Sequence, residues 1–316
     1  MNSVDQPTRY SISSGGTSWT DLANPTQGDV EALGKRYSLH PLNLEDSTSK
    51  RQLTKVEDHG AYIFILLHFP SLGKERIVVE NQLSIFVGKG FVVSLHGADL
   101  ALLSEMAQAV EKDEALRSDW LRSPGHLTYK IIDKLVDGIF PVLDRIKKEL
   151  DEIEDEVFDG RISSAGSINR LRREIADIRR IISPLRRSVT DLVQRISKFT
   201  EANLELYFSD VKDHVEKAWE TVEEVKETIE IYKDSDFILS SEKTNKVLSV
   251  LTIIFTLSIP ATVLASLYGM NVPLPGGNGE HPLTELGPFT SFLILVLAMA
   301  VPAAMMAWYF KRSGWL

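Results

Sequence analysis

The chain has 316 residues, a formal net charge of −9 at pH 7 and no cysteine. An acidic chain disfavours a nucleic-acid partner, because neutralising phosphates requires a basic surface, and the lack of cysteine excludes disulfides and thiolate chemistry. The polar start, residues 1–10, has no apolar core of the kind found in cleavable signal peptides, so we expect the N-terminal region to stay in the cytoplasm.

The first third of the chain has the pattern of a compact α/β unit. It begins with a Ser- and Gly-rich segment, residues 1–17, that predicts a flexible lead. Apolar periodicity and turn residues then define the elements. In chain order these are a strand at 19–22, helices over 27–37 and 40–46, strands at 62–69, 80–87 and 91–96, and a helix over 99–121.

After Pro124 the pattern is helical throughout. A first helix over 127–158 contains Pro141, which predicts a kink, and it ends in an acidic tip at residues 149–159. A second helix over 167–198 carries many arginines opposite its apolar stripe. We expect these two helices to form an antiparallel hairpin with acidic faces against basic ones.

A third helix begins near Asn203 and meets no helix breaker before Pro260. Its length is roughly 100 Å at a rise of about 1.5 Å per residue. A helix of that length is not stable with water on all sides, so it predicts a bundle or an oligomer.

Two stretches near the C-terminus, 247–279 and 286–310, contain no charged side chain. Each includes about 20 residues of apolar character, the length that crosses a bilayer core. Lysines precede the first stretch, Lys311 and Arg312 follow the second, and the connecting loop has neither Lys nor Arg. The positive-inside rule therefore predicts that both termini are cytoplasmic and that the loop is outside.

One face of the first apolar stretch has residues spaced by three and four. Two helices cannot enclose a pore, so conduction along this face would need several copies around one axis. The face is either a lipid- or helix-facing stripe, or the lining of a narrow pore whose apolar constrictions close by dewetting. Its residues are Asn245, Leu248, Thr252, Phe255, Ile259 and Thr262.

The first apolar stretch leads into Tyr268-Gly269-Met270-Asn271, and Asn271 stands at the first turn of a Gly- and Pro-rich loop. Four residues are weak evidence alone, but their position between two apolar stretches that are each long enough to cross a membrane makes them informative.

This arrangement resembles the CorA family of magnesium transport proteins. Besides Tyr268 to Asn271, three other segments are similar to the family: residues 207–214 (YFSDVKDH), residues 245–254 (NKVLSVLTII), and Trp19 to Leu22 with His40 to Leu42. The resemblance implies an α+β cytoplasmic domain followed by long stalk helices and a two-helix transmembrane hairpin, assembled as a funnel-shaped homopentamer.

The domain organisation that we expect follows from the pattern and the resemblance together. Its parts are a flexible lead (1–17), an N-terminal α/β domain (18–122), an antiparallel helical hairpin with an acidic tip (123–200), a stalk helix (201–246), a pore-lining transmembrane helix (247–271), an extracytoplasmic loop (272–288), a second transmembrane helix (289–310) and a basic cytoplasmic tail (311–316).

The resemblance also implies roles for individual residues. Tyr268, Gly269, Met270 and Asn271 resemble the family's ion-selectivity element, in which a ring of Asn271 carboxamides from several copies receives the ion. Mg²⁺ requires octahedral oxygen ligation and gives up its waters reluctantly, and neutral carboxamide oxygens can hydrogen-bond to the hydrated ion without removing those waters. Leu251 joins the pore-lining face as a further gate position, and Lys311 and Arg312 resemble a basic ring at the cytoplasmic membrane face. The acidic loop motif seen in many relatives is missing after Asn271. Glu280 and Glu285 either form a cation-attracting rim in its place or are simply solvated loop charges.

Regulation by intracellular Mg²⁺ bound between subunits is a further implication of the resemblance. Asp210 and Asp213 lie on the segment that resembles the regulatory one, and Asp99 of a neighbouring copy is the expected partner of Asp210. The alternative is that these carboxylates only face water, as acidic residues on a long helix commonly do.

These observations predict a Mg²⁺ channel or transporter gated by intracellular Mg²⁺, in the inner or plasma membrane. An inside-negative potential would supply roughly 4–5 kcal/mol per divalent ion at about 100 mV. The expected partners are the lipid bilayer, divalent cations and further copies of the chain; no organic cofactor is expected.

Two alternatives remain open. The first is a Zn²⁺ transporter of the related ZntB type, although Met270 stands where those relatives usually have Ile, or a Co²⁺ or Ni²⁺ transporter. The second is a non-conducting membrane-anchored helical scaffold or sensor. An enzyme is disfavoured, because the histidines are scattered and the chain has no H-E-x-x-H string and no P-loop.

Overall fold

The computed structural model describes residues 8–49, 52–73, 77–159, 164–200, 204–269 and 290–314. The chain divides into two compact units, Met1–Asp234 and Ser235–Leu316. The described strands are β1 Thr8–Ser14, β2 Thr17–Ala23, β3 Lys55–Asp58, β4 Tyr62–Leu72, β5 Val78–Gly88 and β6 Phe91–His96. The described helices are α1 Gln27–Tyr37, α2 Pro41–Thr48, α3 Ala101–Lys112, α4 Glu114–Trp120, α5 Pro124–Asp137, α6 Phe140–Asp159, α7 Ala165–Ile196, a 3-10 helix Ser197–Phe199, α8 Glu205–Tyr268 and α9 Thr290–Arg312.

The strands form one six-stranded sheet in the order β1-β2-β6-β5-β4-β3. The β2–β6 pair is parallel and the other neighbours are antiparallel. Helix α7 contacts β3, β4 and β5, while α5 contacts β5 and β6. Strand β4 is buried from Tyr62 to Pro70, and burial on both faces explains why its sequence is a continuous apolar run. The predicted α+β class is confirmed.

Strand β1 occupies residues 8–14, where the sequence pattern indicates a flexible lead. It pairs along its whole length with β2, and Ile12, opposite Trp19, is only 3% exposed. An edge strand with one buried side chain among serines has the composition of a linker. Its pairing partner is what makes it a strand, and that partner cannot be read from its own sequence. Residues 1–7 of the expected lead lie outside the described residues.

The parallel β2–β6 pair contains a chain of buried polar side chains. Trp19 Nε1 donates to Ser94 Oγ at 2.9 Å, and Ser94 Oγ donates to Asp21 Oδ1 at 2.5 Å. The other carboxylate oxygen, Asp21 Oδ2, lies 3.3 Å from His96 Nε2. These side chains satisfy one another in the core, as buried polar groups must, and they fix the register of the two strands.

The helix predicted over 127–158 is two helices, because α5 ends at Asp137 and α6 begins at Phe140. Pro141 is therefore the second residue of a new helix and not a mid-helix kink. Proline has no N–H and its ring clashes with the carbonyl four residues earlier, so the preceding turn cannot continue. The helix predicted over 99–121 is likewise divided, since the Asp113 side chain accepts from the backbone N–H groups of Ala115 and Leu116 and caps α4.

Helices α6, α7 and the first part of α8 carry continuous apolar stripes. In each of them buried residues recur at intervals of three and four, the spacing of helices that pack along their length. The stripe on α8, whose residues are 0–3% exposed, consists of Phe208, Val211, Val215, Ala218, Val222, Val225 and Ile229.

A ladder of three ion pairs joins α7 to α8. Successive members are seven residues apart on both helices but run in opposite directions, so the helices are antiparallel and in a fixed register. Each pair is partly exposed, so its contribution to stability is small. The pairs are Arg172 with Glu230 at 2.6 Å, Arg179 with Glu223 at 2.6 Å, and Arg186 with Glu216.

The strand assignment of β1 can be tested by changing Ile12 to Ala. Loss of a buried isoleucine costs about 2–4 kcal/mol, so we expect the thermal unfolding midpoint of the purified protein to fall by about 5–10 °C. The control is Ser13→Ala, which changes the exposed neighbouring position and should leave the midpoint within about 1 °C. If the two substitutions changed the unfolding midpoint equally, residues 8–14 would be a loosely attached lead and not a packed strand.

Candidate functional site

Three potential metal ligands converge in the first unit. They are Asp133 on α5 and Asp210 and His214 on α8, and one ligand atom from each lies within 4.8 Å of the others. Asp210 and His214 are one helical turn apart and so share a face. The ring of Tyr129 on α5 lies 5.9 Å from that of Phe208 on α8, and this packing brings the carboxylate of Asp133 to the other two ligands.

Negative charge is concentrated around these three residues, which we call the α5–α8 cluster. Burial raises the pKa of Asp133 above its usual value, and the neighbouring carboxylate of Asp137 raises it further. Burial, followed by the charges of Asp133 and Asp210, also raises the pKa of Tyr129 to about 12. A bound cation would relieve this repulsion.

The histidine of the cluster is held between carboxylates. His214 Nδ1 lies 3.5 Å from Asp137 Oδ1, and its Nε2 lies 3.9 Å from Asp210 Oδ1. Two carboxylates with bound waters suit Mg²⁺, which is usually held by one or two carboxylates and keeps several waters. Direct ligation by the imidazole would instead suit Co²⁺, Ni²⁺ or Zn²⁺. The donor set fits a divalent cation of either kind.

The structure brings one of the three residues predicted for regulation into the α5–α8 cluster and leaves the other two outside it. Asp210 belongs to the α5–α8 cluster, whereas Asp213 is exposed on the same helix and Asp99 is exposed just after β6. The pairing of Asp99 with Asp210 would join two copies of the chain and stays a prediction. Sequence reasoning missed Asp133. Its signal was a pair of aspartates, 133 and 137, one turn apart on a helix that is largely buried.

The second unit contains the residues predicted to line a pore. Their side chains are exposed along α8 and lie within about a third of the helix circumference, given about 3.6 residues per turn. Among the described residues this face is therefore not covered by another element, and it is accessible to other copies of the chain or to lipid. Its members are Asn245, Leu248, Leu251, Thr252, Phe255, Ile259 and Thr262.

The threonines on this face already use their hydroxyl hydrogens within the helix. Thr252 Oγ1 donates to Leu248 O at 2.8 Å, and Thr262 Oγ1 donates to Ser258 O at 2.9 Å. Each hydroxyl oxygen keeps its lone pairs and is left as an acceptor. Acceptor oxygens are suited to a cation or to the hydrogens of its hydration waters.

Large apolar side chains are exposed along α9 and the second part of α8. Two described helices are long and apolar enough to cross a membrane, over Glu205–Leu267 and Phe292–Arg312. Exposure of this extent indicates lipid or other copies as the natural surroundings. Examples from the two helices are Leu248, Phe255, Ile259, Phe292, Leu297 and Trp308.

Helix α8 ends at Tyr268, and the Gly269 N–H donates to Ala265 O at 2.9 Å. A Cβ at Gly269 would meet that same carbonyl oxygen at 3.1 Å, which is tighter than an ordinary contact. Glycine is therefore favoured at this position. The remaining predicted residues of this region, Met270, Asn271, Glu280 and Glu285, lie outside the described residues.

The residues of the predicted basic ring lie at the C-terminal end of α9. Lys311 and Arg312 form the last turn of α9 and are exposed. Positive side chains at this position complement the negative end of the helix dipole. The Arg312 guanidinium also lies 5.4 Å from the centre of the Trp308 ring, an aromatic residue of the type that anchors helices at membrane interfaces.

Comparison with known proteins gives one consistent result. The model of a family described as "CorA-like Mg2+ transporter protein" matches residues 14–312. The chain is 31% identical over 310 residues to "Putative metal ion transporter YfjQ" of Bacillus subtilis, covering 94% of this chain and 89% of that protein. It is 29% identical over 301 residues to "Cobalt/magnesium transport protein CorA" of Thermotoga maritima, covering 94% and 83%.

A solved structure and a more distant relative complete the comparison. The CorA magnesium transporter of Methanocaldococcus jannaschii superposes with a TM-score of 0.77 at 20% identity, covering 96% of this chain and 94% of the other, which shows a shared fold. A zinc transport protein, ZntB of Pectobacterium atrosepticum, is 23% identical over 193 residues, covering 61% of this chain and 56% of that protein.

The crowding in the α5–α8 cluster predicts that Asp133→Asn stabilises the metal-free protein. A carboxyl whose folded pKa is raised contributes stability at low pH that is lost as pH rises through that pKa. In chelator at pH 7 we expect the unfolding midpoint of the variant to exceed that of the parent by about 2 °C, and the difference should vanish near pH 4.

The matched control for this prediction is Glu220→Gln, which neutralises an exposed carboxylate further along α8. Its midpoint should follow the parent at both pH values. Added Mg²⁺ should stabilise the parent more than Asp133→Asn, since the variant has lost a ligand. A lower midpoint for Asp133→Asn in chelator at pH 7 would contradict the electrostatic interpretation.

Proposed function

The chain belongs to the CorA-like Mg²⁺ transporter family, and from this premise we propose that it mediates Mg²⁺ influx through an oligomeric pore gated by intracellular Mg²⁺. Members of the family are divalent-cation transporters of the membrane and not enzymes. The observation that carries the finer proposal is the α5–α8 cluster, because it supplies a cation-binding element in addition to two helices able to span a membrane.

In this proposal the first span lines the pore, and five copies surround the axis. Asn271 of each copy receives the hydrated ion at the outer mouth. Tyr268, Gly269 and Met270, which directly precede it in the sequence, complete the selectivity element. The apolar residues of the α8 face form the constrictions, while the acceptor oxygens of Thr252 and Thr262 form polar rings between them. The membrane potential drives the ion inward, at roughly 4–5 kcal/mol for about 100 mV.

Orientation and location follow from charge. Lys311 and Arg312 lie at the end of α9, and Lys243 and Lys246 precede the first span. By the positive-inside rule, these four cations favour a cytoplasmic position for both termini. The membrane that the protein crosses is then the inner or plasma membrane. The loop carrying Glu280 and Glu285 then faces outward, where the two carboxylates form a rim that attracts cations.

Gating is proposed to act through the repulsion within the α5–α8 cluster. Asp133 and Asp210 would hold intracellular Mg²⁺, whose positive charge would offset the repulsion between them and favour contact of α5 with α8 in the closed state. When Mg²⁺ falls, the uncompensated carboxylates favour separation of the two helices. A ligand shifts such an equilibrium only by its difference in affinity between the two states, so the cluster must be broken in the open state. Asp213 and Asp99 are proposed contributors between copies.

Transport is tested by reconstituting the purified chain in liposomes that contain a Mg²⁺-sensitive dye, with an inside-negative potassium diffusion potential. The parent should admit Mg²⁺, and Asn271→Ala should lower the initial rate by about tenfold or more, a loss equivalent to about 1.4 kcal/mol. Asn278→Ala, a second asparagine of the same loop, is the matched control and should retain the parental rate. If the parent protein admitted no Mg²⁺, the channel proposal would be wrong and the non-conducting scaffold would be favoured.

Gating is tested by recording currents from inside-out patches of the same proteoliposomes while Mg²⁺ on the cytoplasmic face is varied. Asp210→Ala should raise the concentration needed for half-inhibition by about fivefold or more, as expected for loss of a charged ligand. Glu220→Ala removes an exposed carboxylate of the same helix and should leave inhibition unchanged. Full inhibition of Asp210→Ala at the parental concentration would exclude the cluster as the sensor.

Transport of Co²⁺, Ni²⁺ or Zn²⁺ is the second candidate function, favoured by the imidazole of His214 in the cluster. The same liposomes distinguish the ions, because each can be supplied alone and followed with its own indicator. A rate for Zn²⁺ above that for Mg²⁺ at equal concentration would assign the chain to zinc transport.

A further inference from the structure

One end of the sheet in the first unit encloses a cavity of about 1010 Å³. The three hairpin turns, between β1 and β2, β3 and β4, and β5 and β6, all lie at this end. They meet described residues that lie before and within the first turns of α5 and α8. Ligand cavities in proteins commonly measure about 300–1,000 Å³, so this one has the size for a small organic molecule.

The hairpin turns bring bare backbone to the cavity. Gly16, Gly60 and Gly90 line it and have φ angles of +84°, +77° and +81°, the left-handed region that favours glycine. A Cβ at Gly16 or at Gly60 would meet nothing within 4 Å. Two of the turns therefore border open space, where a ligand can approach the main chain.

The charged residues that line the cavity are cations. Lys89, Arg122 and Lys198 are among the described lining residues, and none of the described lining residues is acidic. Arg122 forms an ion pair with Asp119, and Lys198 forms one with Asp58. Lys89 makes no ion pair within the described part of the chain. Lys89 therefore offers a positive charge that no described carboxylate offsets, and this charge attracts an anion.

A buried polar atom at the cavity lacks a partner. His126, on the first turn of α5, lines the cavity and is 6% exposed, and its Nε2 has no hydrogen-bond partner among the described residues. Leaving a buried polar atom unpaired costs stability, and native proteins rarely do so without a reason. Burial lowers the pKa of His126, with Lys130 and Arg122 acting in the same direction. The neutral ring can still donate one hydrogen bond, and a ligand in the cavity would accept it.

We propose that this cavity binds a phosphate-bearing anion of nucleotide size. Lys89 and His126 contact the phosphate groups, and the positive end of the α5 dipole stabilises their charge. Phe199 and Tyr207, which also line the cavity, provide aromatic surface for a flat base. The site is separate from the proposed pore and does not depend on transport.

The test uses the full-length protein in detergent and isothermal titration calorimetry. Buffer without Mg²⁺ and with a chelator removes the metal that ATP would otherwise sequester. The probes are ATP, pyrophosphate and inorganic phosphate, and we expect saturable binding of ATP with a Kd below about 1 mM. Tighter binding of ATP than of pyrophosphate identifies a nucleotide site, and equal binding identifies a site for the phosphate groups alone.

Two variants locate the binding. Lys89→Gln, on an exposed turn, and His126→Asn should each weaken binding by about fivefold or more, as expected for loss of a charged or buried donor. The matched control is Lys35→Gln, an exposed lysine of α1 that does not line the cavity, and it should retain the parental Kd. Absence of saturable binding for all three probes would overturn the proposal. Parental affinity in both variants, or an equal loss in Lys35→Gln, would do the same.

Discussion

Helix α8 carries a buried apolar stripe as far as Ile229, and many of its apolar side chains from Ile231 to Leu267 are exposed. One continuous helix therefore has to satisfy two different environments. Its backbone is hydrogen-bonded internally in both, which is what allows a helix to enter lipid without leaving peptide groups unpaired. The first part still needs partners, because an isolated helix in water is marginal. Helices α6 and α7 provide them, and the sheet supports α7 in turn.

The α5–α8 cluster follows from the same packing. The apolar contact between Tyr129 and Phe208 fixes the start of α8 beside α5, and it does so where both helices carry aspartates. Packing enforces a proximity of carboxylates, and burial, followed by the charge of Asp137, raises the pKa of Asp133. A divalent cation bound between these residues would change the free energy of this one helix contact.

The sequence predicts the helices of this protein better than its strands. A long apolar periodicity defines α8 within about two residues of its observed bounds, Glu205–Tyr268, because local spacing is enough to specify a helix. Strand β1 was missed, as was β3, four partly buried residues with polar ends. Both are edge strands that depend on a neighbour distant in sequence. The division at Pro141 was misread as a kink, because the sequence alone does not show whether the chain resumes its direction.

The same difference between local and long-range contacts applies to the candidate site. Asp210 was identified through its motif, and Asp133 was missed because the two residues meet only when α5 and α8 pack. The exposed face of α8 from Asn245 to Thr262 could be predicted from spacing along one helix. The donation of the Thr252 and Thr262 hydroxyls to their own helix could not, since a threonine in a helix has more than one rotamer available. Contacts within a helix are encoded locally, and contacts between helices are not.

The ladder between α7 and α8 restricts how these helices can move. Its three pairs recur every seven residues on both helices, so a slide of α8 by one turn, about 5.4 Å, would separate all three pairs together. The next position in which arginines again face glutamates lies two turns away, about 10.5 Å along the axis. Small axial displacements are therefore opposed by the whole ladder at once. Each pair alone is weak, but because all three share one spacing they add a common preference for this single register to the packing of the two apolar stripes.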